Sequence, residues 1–245
     1  MHGLVEAMGE SCQEDRMRHD VVYILREDAE PDELRYSLRS VEENFPHGRV
    51  WFFCGCPAGF RPDGHVPFKQ IGRSKWQKST STFRAIGSTE GVSDEFWLFN
   101  DDFFVLEKVE DLPYMMRGML ADHVAGIRSR RAISGYANGL DDAREQLHKR
   151  GMTTYDYALH VPMLINKRKA VEVIDEFPNC PMFRSLYGNY CEVGGITVPD
   201  VKVYDLDSVP EEGQVLLSTG DVTFRNGAVG RYIRERFAEP SRWEI

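Results

Sequence analysis

The 245-residue sequence has no apolar run near the length of a membrane-spanning helix, and its first residues lack the apolar core of a signal peptide. It has five cysteines but no CxxC pair, and Cys54 and Cys56 stand too close for an ordinary structural disulfide. They read as reduced cysteines near a strand end, with a zinc site a distant second. Internal repeats, low-complexity tracts and linker-like breaks in composition are missing as well. These absences lead to the expectation of one globular domain over 20–245, behind a loosely held leader over 1–19, in the cytoplasm and away from membranes. Positive charge is scarce too. Lys and Arg number 30 against 39 Asp and Glu, a net −9, which argues against an indiscriminate nucleic-acid binder. One stretch runs the other way: residues 61–84 carry six basic side chains and only Asp63 as acid, a local +5 that leaves −14 elsewhere.

Apolar content of 42% and charged content of 28% are ordinary for a globular protein, and the first half alternates in period. "DVVYIL" (20–25) is a short β-branched run, "EPDELRYSLRSVEENF" a helix opened by Pro31, and "RVWFFCG" (49–55) a second strand. Residues 76–90 suit a helix and 95–100 a third strand. This order predicts an α/β fold with a mostly parallel sheet, in which ligands sit beyond the carboxyl ends of the strands. The second half is less regular. "LPYMMRGML" is expected to be a short helix, as are "GLDDAREQLHKR", "NKRKAVEVIDEF" (166–177) and "GAVGRYIRERF" (227–237), with "EPSRWEI" as a tail.

The unusual stretch is "EFWLFNDDFFVLE" (95–107), where Asn100, Asp101 and Asp102 stand among large apolar residues at a strand end. Three readings are open. Asn and Asp cap helices and make turns, although "FFVLE", directly after the acids, looks like a further strand and not a helix. Two acids could serve general acid–base work, but neighbours on a strand diverge. Carboxylate and amide oxygens also suit Mg²⁺ or Mn²⁺, whose charge would offset the cost of placing acids in an apolar setting.

Three blocks, "DVVYILREDAEPDELRYSLRSVEENFP" (20–46), "VSDEFWLFNDDFFV" (92–105) and "LHVPMLINKRKAVEVIDEF" (159–177), resemble the Stealth sugar-phosphate transferases. In this compact size, with "RSLYGN", "DVKVY" and "GAVGRYIRERF", the chain resembles glycosyltransferases of actinobacterial phages nearly end to end. It departs from Stealth in reading "YILRED" in the first block and in having no room for the later regions, which favours simple glycosyl transfer. The resemblance implies a GT-A-like (Rossmann-like) fold, a nucleotide-sugar donor, UDP-sugar foremost, a Mn²⁺ or Mg²⁺ cofactor, and the host cytoplasm as compartment. The acceptor it suggests first is 5-hydroxymethylcytosine in phage DNA, with a virion protein or glycan as the alternative. A sugar-1-phosphate transferase and a non-catalytic nucleotide-sugar binding module are the other readings.

On that reading Leu25, Arg26 and Asn100 face the donor, while Lys75, Lys78 and Arg84 neutralise its diphosphate. Asp102 is the first metal ligand, and Asp101 touches the sugar or supports the metal's ligands from behind. His160, between apolar residues in "YALHVPML", is a metal ligand or the base for the acceptor hydroxyl; the alternative is a satisfied core histidine. Asp221 sits in a late loop over the donor. Trp76, Tyr187 and Asn189 are candidate acceptor contacts, with "LYGN" and Gly194-Gly195 as turns beside the groove. Each of these also has a bland reading as a solvated face, a turn or core packing.

Overall fold

A computed structural model describes residues 18–72, 75–130, 134–178 and 182–245, without the side chains of Lys75 and Trp76. Most of the expected leader, and Arg73 of the basic segment, lie outside the described residues.

The chain begins with β1 (Asp20–Leu25), α1 (Pro31–Asn44), β2 (Val50–Cys54), β3 (Gly64–Val66), α2 (Lys75–Ser88) and β4 (Glu95–Phe99). It continues through β5 (Phe103–Val105), β6 (Met115–Met116), α3 (Leu120–Arg130), α4 (Gly135–His148), β7 (Met163–Asn166), α5 (Lys167–Glu176) and α6 (Phe183–Tyr190). It closes with β8 (Ile196–Thr197), β9 (Lys202–Val203), β10 (Leu216–Thr219), α7 (Asp221–Asn226) and α8 (Ala228–Arg236). The main sheet has the order β3-β2-β1-β4-β7, parallel except for β7. This is the mixed, mostly parallel α/β sheet that the alternation predicts.

Period two in β1 sorts its side chains. Val21, Tyr23 and Leu25 pack with Leu34, Leu38 and Val41 of α1 on one face, while Val22 packs with Phe83 and Ile86 of α2 on the other. Asp20 ties the strand bottoms together, accepting from Arg49 N at 2.8 Å, Trp51 Nε1 at 2.9 Å and Ser93 N at 3.0 Å. Because β1 connects outward to β2 and the chain then returns to β4 on its other side, the sheet order reverses at β1 and β4. A crevice opens at such a point, beyond the carboxyl ends of those strands.

A second sheet, β5-β10-β9, stands next to it and carries a third core of Phe104, Leu217, Phe224, Val229 and Ile233 under α7 and α8. Its register sets Ser218 opposite both Phe103 and Lys202, so β5 and β9 flank the residue that precedes the end of β10.

Three expectations are corrected. "LPYMMRGML" is not a helix: Met115 and Met116 form β6, paired with β8, and the helix starts only at Leu120. "LYGN" is not a turn but the interior of α6, where a Cβ on Gly188 would fall 2.4 Å from the Tyr157 ring. The final residues are not a loose tail. Trp243 is 1% exposed, Glu244 pairs with Arg35 and Arg39, and Ile245 N donates to Gly59 O. Arg39 and Arg35 hold the Glu244 carboxyl down at about 2, although its burial works the other way.

Candidate active site

At the carboxyl ends of β1 and β4 lies a cleft of about 900 Å³. Ile24 and Arg26 reach it from β1, Leu98, Asn100 and Asp101 from β4, and Ser79 and Phe83 from α2. Asn100 O accepts from Phe103 N at 3.3 Å, so the two aspartates sit in a tight turn between β4 and β5 and not on a continuing strand. The turn separates their fates. Asp101 lines the cleft, and it also lines a smaller acidic pocket of about 370 Å³ behind it, which Asp102 shares.

Asp102 is 9% exposed and already neutralised. The register of the second sheet brings Lys202 and Ser218 to it: its Oδ2 accepts from Lys202 Nζ at 2.7 Å and Ser218 Oγ at 3.1 Å. That bond and the Asp102 charge raise the Lys202 pKa although burial alone would lower it. Among the described residues Asp101 has no such partner. Burial and the neighbouring Asp102 push its carboxyl up, and a backbone hydrogen bond and the charge of Arg26 oppose them only in part. The acidic pocket adds Glu30, Asp32, Glu33 and Asp221. Burial raises Glu33 to about 7, against the bond from Thr219 and with help from Asp102, Asp101 and Asp221. Asp221 is the first residue of α7 behind Gly220, a helix start and not a loop over the donor.

The far wall is built from loop residues that β9 and β6 bring in. His160 stands 2.9 Å through Nδ1 from Asp200 Oδ2, and His160 N donates to Asp200 Oδ1 at 3.1 Å. Burial opposes ionisation of Asp200, but the bonds from His160 and the charges of His160 and Arg117 outweigh it and hold the carboxyl well below its usual range. Nδ1 is therefore the donor, leaving Nε2 to act. Arg117 donates to Asp200 at 2.7 Å; its buried Nε, 3.6 Å from Asp156, has no hydrogen-bond partner. Asp156 also stands 2.6 Å from His123 Nδ1. One arginine therefore joins two histidine–carboxylate pairs, of which His160, Asp200, His123 and Arg117 line the cleft and Asp156 is fully buried behind it.

Of the residues expected from sequence, Arg26, Asn100, Asp101 and His160 come together in the cleft, and Asp102 and Asp221 lie in the acidic pocket beside it. The others do not. Leu25 is 1% exposed in the core, because its neighbours Ile24 and Arg26 take the alternate face. Arg84 pairs with Asp175 on the surface at 2.5 Å, and Lys78 is exposed on α2. Tyr187, 2% exposed, accepts from Asn166 N at 2.7 Å, and Asn189, also 2% exposed, bonds Tyr155 and Thr153, so neither touches an acceptor. The side chains of Lys75 and Trp76 are outside the described residues.

Sequence reasoning missed Arg117, His123, Arg184, Asp200, Lys202 and Tyr204, all of which line the cleft. For three of them a signal existed. "DVKVY" alternates, so that Asp200, Lys202 and Tyr204 share a face while Val201 and Val203 pack inward.

No protein-family model matches the chain, and no curated protein matches it. Among the solved structures that are similar in part are two glycosyltransferases. One is the glycosyltransferase GlyE of Streptococcus pneumoniae TIGR4, 13% identical with a TM-score of 0.36, over 70% of this chain and 42% of that one. The other is the galactosyltransferase LgtC in complex with donor and acceptor sugar analogs, 13% identical with a TM-score of 0.38, over 69% of each chain. Likenesses of this size leave the chain's chemistry to be argued from its own residues.

Proposed function

We propose that the chain is a glycosyltransferase of the GT-A type, moving a sugar from a nucleotide-sugar to an acceptor hydroxyl. One observation carries the reading: a single cleft at the strand ends holds an unneutralised carboxylate, Asp101, together with the His160–Asp200 pair. In the reaction the acceptor oxygen bonds to the anomeric carbon, the bond from that carbon to the diphosphate breaks, and the nucleoside diphosphate leaves. In the inverting route the acceptor proton passes to His160 Nε2, and ionised Asp200 steadies the imidazolium that results.

Among the described residues no three His, Cys, Asp or Glu side chains are grouped to hold a metal. That donor set does not suit an all-protein cage. It does suit Mg²⁺ or Mn²⁺ of the kind held by one or two carboxylates plus substrate phosphates. Asp101 would be the ligand, since Asp102 Oδ2 is committed to Lys202 and His160 Nε2 is assigned to the acceptor proton. Such a metal would act as Lewis acid on the diphosphate.

A UDP-sugar is the donor of choice from the sequence resemblance. The DNA acceptor, 5-hydroxymethylcytosine, draws less support from the geometry. Arg61, Lys69 and Lys78 are exposed, Arg84 is paired, and the cleft-mouth residue Tyr204 is followed by Asp205 and Asp207. The test is a panel of nucleotide-sugars with hydroxymethylated DNA, free sugars and protein as acceptors, read by mass spectrometry with and without Mn²⁺. Donor turnover that His160→Ala lowers about 10²–10⁴-fold supports the reading; no donor consumed under any condition refutes it.

A further inference from the structure

Lys78 and Arg84, two of the residues expected to meet the diphosphate, do not line the cleft, yet its floor holds a cation with no counter-ion among the described residues. Arg184, half-buried at the start of α6, donates to Val161 O at 2.5 Å and Leu98 O at 3.3 Å. The Phe103 ring lies 5.3 Å from its guanidinium carbon. Among the described residues no carboxylate stands within ion-pair distance of it, although burial of its charge lowers its pKa to about 10 and only the more distant Asp102 opposes this. Two of its five N–H donors are taken by the carbonyls, and among the described residues the others have no partner in the cleft it lines. Lys202, lining the same cleft, spends one of its three donors on Asp102.

We infer that Arg184 and Lys202 form a fixed-cation site for a diphosphate on the cleft floor. This rests on the glycosyltransferase reading for its role: when the anomeric C–O bond breaks, its electron pair leaves on the diphosphate oxygen, and these donors stabilise that charge. Arg184 is suited to it because two carbonyls and an aromatic ring fix its planar fork before the ligand arrives. A lysine at 184 would keep the charge and lose the fork.

The experiment is calorimetric titration of the full chain with inorganic pyrophosphate, UDP and uridine, in chelator so that no divalent ion contributes. Pyrophosphate and UDP are expected to bind, and Arg184→Gln to weaken both by about 10- to 100-fold while uridine binding stays unchanged. Arg184→Lys should fall between the two, and it decides the matter if the glutamine variant does not fold. Failure of pyrophosphate to bind the unaltered chain, or equal binding by the folded variants, overturns the inference. Arg184-dependent pyrophosphate binding with no nucleotide-sugar consumed would leave the anion site standing and remove the glycosyltransferase reading. The reverse pattern, donor turnover with Arg184-independent binding, would remove only the anion site.

Discussion

Glu33 offers a direct measure of how much charge the acidic pocket stores. Its carboxyl is raised from 4.5 to about 7, first by burial and then by Asp102, Asp101 and Asp221, while the bond from Thr219 Oγ1 at 2.7 Å pulls the other way. A raised carboxyl binds its proton more tightly folded than unfolded. Its contribution to stability is therefore complete below pH 4.5, declines between 4.5 and about 7, and is gone above. Glu33→Gln keeps the acceptor for Thr219 and mimics the protonated form at every pH. At about 1.4 kcal/mol per pKa unit the full shift would be worth roughly 3 kcal/mol, and screening by the open pocket reduces this to about 1–3 kcal/mol. The variant should be more stable than the parent by that amount at pH 8 and equal to it near pH 4, with the gap opening between. Urea unfolding at a series of pH values gives the difference directly, since acids outside the cluster of Asp101, Asp102 and Asp221 cancel between the two proteins. A gap that does not change with pH, or a parent that is the more stable at pH 8, would show that Glu33 carries no such strain.

Tyr187→Phe removes the oxygen that accepts from Asn166 N and should cost about 1–2 kcal/mol in urea unfolding while leaving donor turnover unchanged; lost turnover at full stability would return Tyr187 to the acceptor site. Trp243→Ala empties a site that is 1% exposed and breaks the 3.0 Å bond to Asp63, with an expected loss of about 3–5 kcal/mol by the same assay; a loss under 1 kcal/mol would mean the C-terminal segment is not docked. The two aspartates should behave oppositely. Asp101→Asn relieves an unneutralised carboxylate, so stability at pH 7 holds or rises by about 1 kcal/mol as turnover is lost, whereas Asp102→Asn strips Lys202 of its partner and costs about 2–3 kcal/mol. Equal stability effects in thermal melts would contradict the division between them.

The sheet was readable because each strand carries its own evidence: "DVVYIL" and "RVWFFC" are apolar at nearly every position, as a strand covered on both faces must be. The acidic turn was readable for the opposite reason, two charges in a place where charge is expensive. What failed shares one cause, that the deciding partner is far away in sequence. "EPSRWEI" has no period of its own, and Glu244 is ordered by Arg35 and Arg39, some two hundred residues earlier. Gly188 and Asn189 look like turn residues, yet one makes room for the Tyr157 ring and the other satisfies the backbone of Tyr155. Arg184 is a lone arginine in an apolar helix, and the carbonyls that aim it belong to Leu98 and Val161. "DVKVY" did carry its pattern in plain view, but only Lys202 and Val203 pair as a strand, too short a run to separate from a loop.

The desolvation cost of the paired acids is met in two different ways, and this difference gives the cleft its polarity. Asp102 is neutralised from inside the protein by a lysine that the β5-β10-β9 register delivers to it. Asp101, one residue away, is left with Arg26, which is itself exposed and 3.9 Å from Asp28. Arg26, Asn100 and Asp101 line both cavities, so the turn is a partition with Asp32, Glu33, Asp102, Asp221 and the Arg225–Glu30 pair on one side and, on the other, Arg184, Lys202 and the Arg117–Asp200 pair. A neutral sugar alone would gain little from such a division. A ligand whose anionic middle lies toward the arginines, with a cation between it and Asp101, would neutralise both sides at once. On the proposed function, a nucleotide-sugar with its metal would supply that order of charges, and the asymmetry between two adjacent aspartates would be what makes room for it.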